Sequence, residues 1–228
     1  MPARKILRNY RSVTGLQPSR KGKEPEHKHY ESPVERDFYC LLEFDPRVLN
    51  YEPQPVRIDY KLTTGRSEEY YPDTLVRYRP STDGSPVPPT TLFEVKLRED
   101  LKQNWSKFRP GFQAAWRYAR PRGWRFKLVT DREIRTPYLT NVKFLLRFRG
   151  IPPNEDMEQQ ILAALGNFIP RPASELLHAL WPARADQARA MPYLWRLIAT
   201  HRIHADLSKP LNMKAALWTS PPFSPTSI

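Results

Sequence analysis

The short run Leu92-Phe93-Glu94-Val95-Lys96-Leu97 constrains this chain more than any other stretch. Its length and apolar content predict a strand in the middle of a sheet. Side chains two apart in a strand share a face, so Glu94 and Lys96 project together from an otherwise apolar element. A carboxylate and an ammonium in that setting are costly to bury unless they pair or act on something. Two readings stay open on the pair alone: an ion pair on an exposed edge strand, or part of a catalytic site. Upstream, Pro72-Asp73 stands near the start of a second strand, which gives the pattern P-D-x(20)-E-x-K. Two carboxylates are enough protein for Mg²⁺, which prefers oxygen ligands and keeps several waters, with Mn²⁺ as a substitute. Such a site suits phosphodiester hydrolysis, because the metal polarises the phosphate and acidifies a bound water. Lys96 would orient that water and offset transition-state charge. Glu35, from a preceding helix, would reach a second metal or its waters.

The elements around these residues alternate. Ser32-Pro33 with Glu35 reads as a capped helix start, and Val34, Phe38, Leu41 and Leu42 form its apolar stripe up to Asp45-Pro46. Strands are expected at 56–60, 70–79, 92–97 and 124–130, with a helical region broken at Pro110 over 99–119 and a short helix at 141–148. Gly150-Ile151-Pro152-Pro153 is the expected domain boundary. Beyond it, helices at 156–165, 173–179 and 185–200 and a hairpin over 203–218 suggest a winged helix. The expected organisation is thus a basic arm (1–30), an α/β nuclease-like domain (31–150), a winged-helix-like domain (151–218) and a Pro/Ser-rich tail (219–228).

Charge is unevenly spread. Residues 1–150 carry 30 Lys and Arg against 18 Asp and Glu, while 151–228 carry 7 against 6. A basic surface of that size favours polyanions. No apolar run approaches the ~20 residues of a membrane span, and the basic first thirty residues lack a signal-peptide core. Cys40 is alone, so neither an internal disulfide nor a cysteine metal cluster is available. A cytoplasmic, nucleic-acid-directed protein is expected. Candidate DNA contacts are Arg4, Lys5, Arg8, Arg11, Lys21 and Lys23 in the arm, then Lys102, Lys107, Arg117, Arg120 and Arg122.

Taken in order, Ser32-Pro33-Val34-Glu35-Arg36-Asp37-Phe38, Tyr51-Glu52-Pro53-Gln54-Pro55, Tyr71-Pro72-Asp73-Thr74-Leu75-Val76 and Phe93-Glu94-Val95-Lys96 resemble the TnsA family of transposon endonucleases. The resemblance runs on through Phe126–Asp131 and Asn141–Leu145, over roughly residues 30–148. It implies a restriction-endonuclease-like mixed-sheet core, with Asp73 and Glu94 as metal-binding acids, Lys96 as the lysine of the E-x-K strand and Glu35 as the helical acid. Gln54 falls in the family's Q-P element near the site. Some members carry Gln in place of Glu94. The resemblance also implies double-stranded DNA at transposon ends as substrate, cleavage of the strand not joined during transposition, a DDE-type transposase partner and an AAA+ ATPase regulator. A bacterial cytoplasm is implied, with the protein at the nucleoid when active. Two alternatives remain at this point: a free-standing restriction or repair nuclease, and an inert DNA-binding adaptor.

Other residues read as structural. His27 and His29 lack metal-ligating companions, and His201 and His204 lie at a helix end. Asp37 reads as a helix-surface charge, and Trp116 and Trp124 as core. Trp105, among Lys102, Lys107 and Arg109, is a candidate for DNA. The module beyond residue 150 looks suited to protein docking through Met191, Leu194 and Trp195 if these are exposed.

Overall fold

The computed structural model describes residues 14–22, 26–81, 84–166 and 170–219. It divides into two compact units, Met1–Arg135 and Thr136–Ile228.

The first unit opens with an antiparallel hairpin, β1 (Gly15–Ser19) and β2 (Glu26–Tyr30), followed by helix α1 (Pro33–Phe44). Strands β3 (Val48–Pro53), β4 (Ile58–Lys61), β5 (Ser67–Tyr70), β6 (Thr74–Tyr78) and β7 (Thr91–Lys96) come next. Helix α2 (Arg98–Ala119) leads through a 3₁₀ turn to β8 (Arg125–Thr130) and the short α3 (Asp131–Ile134). The main sheet has the order β3-β6-β7-β8; β6 is antiparallel to β3 and β7, and β7 is parallel to β8. It is a mixed sheet, and β7 lies inside it rather than at an edge. Phe93 packs on Phe38 of α1 with ring centroids 5.1 Å apart, while its neighbour Leu92 clusters with Ala119 of α2. Successive strand residues face opposite ways, so α1 and α2 cover opposite faces of the sheet.

Local chemistry explains the ends of α1. The Ser32 hydroxyl accepts from the Glu35 N–H at 3.2 Å, and Pro33 fills the first helical position. Asp45 ends the helix in extended backbone.

Several expectations change. Residues 14–22 and 26–30 are no loose arm: β1 and β2 pack on α1, and the buried Glu43 accepts from the Arg20 N–H. Lys21 is buried and donates to the Asp45 carbonyl at 2.6 Å, and Lys28 is buried over the Tyr51 ring. Strand β3 went unread because Pro53 and Pro55 mask its short apolar run. The strand expected over 70–79 is two strands, interrupted at Tyr71–Asp73. Helix α2 departs from helical dihedrals at Asn104 (φ −118°, ψ 21°), while Pro110 is accommodated inside it. Asp37 is buried, not a surface charge, and pairs with Arg135 at 2.9 Å.

In the second unit, α4 (Pro137–Leu146), α5 (Glu155–Leu165), β9 (Arg171–Pro172), α6 (Ala173–Leu180), α7 (Arg184–Ala199), β10 (His204–Ala205) and β11 (Ala216–Trp218) follow in order. The strands form a small antiparallel sheet, β10-β11-β9. The boundary expected at 150–153 falls inside this unit, since Asn141 of α4 donates to the carbonyls of Leu207 and Lys209 and accepts from the Leu211 N–H. Phe144 of α4 also meets Trp195 of α7 edge-on at 5.5 Å. Leu194 and Trp195 are therefore this unit's own core and not the exposed residues docking requires, while Met191 is half-buried. Among the described residues no helix is long and apolar enough to cross a membrane.

Candidate active site

The strand registers assemble the site. Pro53 pairs with Thr74 and Thr74 with Phe93, so continuing one step sets Gln54 opposite Asp73 and Asp73 opposite Glu94. The Gln54 N–H donates to the Asp73 carbonyl at 2.9 Å, which fixes the first pair. Asp73 Oδ2 accepts from the Val95 N–H at 2.7 Å, which fixes the second.

Lys96 sits among oxygens. Its Nζ lies 2.6 Å from Glu94 Oε1, 3.5 Å from Asp73 Oδ2 and 3.3 Å from the Val95 carbonyl. Glu94 is 3% exposed. An ion pair this deep on an interior strand excludes the bland edge-strand reading. One ammonium neutralises only one of two buried carboxylates, so the other is driven to keep a proton. Burial first, and then the Asp73 charge, push Glu94 up to about 8 against the pull of Lys96. Burial also raises Asp73. For Lys96, burial disfavours the charge, but Asp73 and Glu94 outweigh it and hold the ammonium above its usual range.

Glu35 faces the cluster from α1. Burial and the Asp73 charge raise it to about 7. Its oxygens are engaged locally, accepting from the Glu31 N–H at 2.9 Å and the Ser32 hydroxyl at 2.8 Å. Glu35 thus stands beside the pair but serves its own helix start.

Two features add to the sequence reading. Gln54 is buried, holds a left-handed φ of 42° and leaves its Oε1 without a partner among the described residues. A non-glycine at positive φ and an orphan buried acceptor each cost about 1–3 kcal/mol, and such costs gather at functional sites. Tyr70 was not anticipated at all. Its hydroxyl donates to Glu94 Oε2, the oxygen that Lys96 does not hold. Its ring lies against Phe112 of α2, and a Cβ on Gly111 would come within 2.8 Å of that ring. A glycine inside a helix was the available signal, since it marks close approach of a neighbour.

The raised carboxylates favour their protonated forms in the fold, so metal-free protein should lose stability as pH rises from about 4.5 towards 8. Melting temperatures across that range should fall more steeply than those of Glu94→Gln; parallel curves would contradict the shift. Tyr70→Phe should keep the ring packing, lose the hold on Glu94 Oε2 and weaken divalent-cation affinity roughly 10–100-fold, read by calorimetry. Unchanged affinity would remove Tyr70 from the site.

A family model described as TnsA-like endonuclease N terminal matches residues 45–131, and one described as TnsA endonuclease C terminal matches 133–207. Together they span more than half of the chain. The chain belongs to the TnsA endonuclease family. The junction between the two matches falls close to the division between the two units at Arg135. The N-terminal match includes Gln54, Asp73, Glu94 and Lys96 and begins after Glu35. No curated protein matches the chain.

Of the DNA-contact candidates, Lys102, Lys107, Arg117, Arg120 and Arg122 are exposed, on α2 and the turn after it. Lys21 is withdrawn by its burial. Arg4, Lys5, Arg8, Arg11 and Lys23 lie outside the described residues.

Proposed function

We propose that this TnsA-family chain is a Mg²⁺-dependent DNA endonuclease that cleaves the non-transferred strand at transposon ends. The observation that carries the reading is the Lys96 ammonium held by oxygens of Asp73, Glu94 and Val95 on a buried strand. Those oxygens already surround a positive charge, which is the environment a hard cation requires. Among the described residues no group of three or more His, Cys, Asp or Glu side chains stands ready for a metal. A two-carboxylate set fits Mg²⁺ or Mn²⁺, which retain waters, and does not fit a His/Cys zinc site or an all-protein calcium cage.

Asp73 and Glu94 would hold the cation, and Gln54, joined to Asp73 through its N–H and with its Oε1 unpartnered, would stand beside them. When bound, the cation supplies Lewis acidity to the phosphodiester and lowers the pKa of water. Lys96 gives up part of its hold on the carboxylates and offsets charge on the phosphoryl oxygens. Tyr70 keeps Glu94 oriented. Glu35 shapes the field beside Asp73 and, in this reading, acts on the site through charge rather than as a metal ligand.

The layered mixed sheet supports a restriction-endonuclease-like core. The order helix, strand, helix, helix and two strands over 155–218 supports a winged-helix-like second unit. Family membership supports a DDE-type transposase and an AAA+ ATPase as partners. Lys102, Lys107, Arg117, Arg120 and Arg122 are proposed to meet DNA phosphates.

The test is strand-resolved cleavage of transposon-end DNA in Mg²⁺ with the partner transposase, comparing the intact chain with Asp73→Ala. Cutting of the non-joined strand that vanishes in the variant supports the reading. A non-joined strand left whole by the intact chain, while the transposase cuts its own, sinks it in favour of an inert DNA-binding adaptor.

A further inference from the structure

Helix α2 carries an exposed stripe that packing within the first unit explains only in part: the Trp105 ring meets Phe112 at 5.9 Å and still leaves half its surface open. Lys102, Trp105, Arg109, Gln113, Trp116 and Arg120 recur at intervals of three and four, and all six are exposed. That spacing sets them along one face of a helix. The helix's buried side carries Phe112, Ala115 and Ala119 against the sheet, with Phe112 at the edge next to Trp105. Trp116, expected in the core, is 51% exposed, and Trp105 is 49% exposed. Half-open tryptophans on a helix that already has a satisfied buried face point to something outside.

The charge around them says what. Residues 101–130 hold eight Lys and Arg and no Asp or Glu. The Arg120 guanidinium lies over the Trp116 ring at 5.3 Å, so aromatic and cation form one flat surface. A protein interface would share the Trp and Arg but not the lysines, and its partner would have to be uniformly acidic. Phosphates meet the charge, and unstacked bases or sugars meet the rings. Position agrees with this, since α2 starts two residues after Lys96, on the strand that carries Glu94. Beyond the irregular dihedrals at Asn104, the stripe from Trp105 to Arg120 spans roughly 22 Å at 1.5 Å per residue. That is about six nucleotide steps of 3.4 Å.

We infer that the α2 stripe is the track that grips the DNA flanking the scissile phosphate, with Trp105 and Trp116 as contact platforms between phosphate-binding Lys102, Arg109 and Arg120. The inference rests on the nuclease reading above and adds the surface that holds the substrate.

The experiment is equilibrium binding of a transposon-end duplex to the full chain without divalent metal, across a range of salt. Trp105→Ala/Trp116→Ala should weaken binding at least tenfold with an unchanged salt slope, and Trp105→Phe/Trp116→Phe should restore most of it. Arg109→Gln/Arg120→Gln should weaken binding and lower the slope of log affinity against log salt by about 1.8. Melting temperatures of the Arg→Gln and Trp→Phe variants should stay near that of the intact chain, and Trp105→Ala should lose only what its ring contact with Phe112 contributes. Variants that bind as tightly as the intact chain, with the same slope, overturn the track. If the tryptophan variants bind DNA normally but no longer support cleavage with the transposase, the stripe is a protein-docking face and the inference fails. If metal-dependent cleavage by the intact chain still requires Asp73, the nuclease reading survives that failure. If the intact chain neither binds nor cuts DNA, both fall.

Discussion

Asp73→Asn should reduce DNA cleavage on the order of 10³-fold while leaving the protein folded and DNA binding intact. The carboxylate is one of two that hold the cation in the proposed reading, and cation catalysis contributes several kcal/mol of transition-state stabilisation, with each 1.36 kcal/mol worth tenfold. The amide oxygen of Asn still accepts from the Val95 N–H, so the contact that joins the ends of β6 and β7 survives. Stability should move the other way from activity. With Asp73 neutral, Lys96 faces Glu94 alone at 2.6 Å, and the excess buried negative charge is gone. Metal-free Asp73→Asn should therefore melt at or above the temperature of the intact chain near pH 8. A variant that is inactive because it is unfolded, or one that retains full cleavage, would contradict this account.

Lys96→Met should be the second large loss, about 10²–10³-fold in turnover, with cation affinity kept or raised. The ammonium occupies the oxygens a metal would use, so removing it opens the cradle while deleting the charge that serves the reaction. Its effect on metal-free protein is opposite to that of Asp73→Asn. Two buried carboxylates would remain without a counter-charge, at a cost on the order of 3 kcal/mol where both ionise, and less as pH falls and one takes a proton. Melting curves with and without Mg²⁺ should thus converge at acid pH and separate at alkaline pH. If Lys96→Met cleaves normally, the lysine is only structural.

Much of this site was legible in the sequence because its logic is local to strands. The period of two put Glu94 and Lys96 on one face, and the P-D before β6 fell opposite Glu94 once the register was set. The Ser32 cap and the start of α1 followed from side-chain chemistry within four residues. What escaped depends on contacts distant in sequence. Tyr70 reaches Glu94 only because the β4–β5 hairpin folds onto α2 at Gly111. Lys21 reads as a DNA-contact candidate and Lys28 as one more basic residue of an arm, because nothing nearby in sequence shows that a hairpin will dock on Glu43 and Tyr51. Trp116 looked like core by residue type, whereas its place on α2, away from Phe112 and Ala119, decides otherwise. The division falls at Arg135 rather than at 150–153, because the Gly-Pro run there lies within the second unit. Asn141 binds the 207–211 loop across that run, and no composition shift records the bond.

Asp73 and Glu94 should form a divalent-cation site, and anomalous scattering from crystals of the full chain grown with Mn²⁺ would locate it. The expected result is a peak between the two carboxylates, with the Lys96 ammonium displaced from Glu94 Oε1. The peak should be absent from Asp73→Asn crystals treated the same way. An occupied site elsewhere, or no peak between these carboxylates at saturating Mn²⁺ with Lys96 still paired to Glu94, would contradict the account.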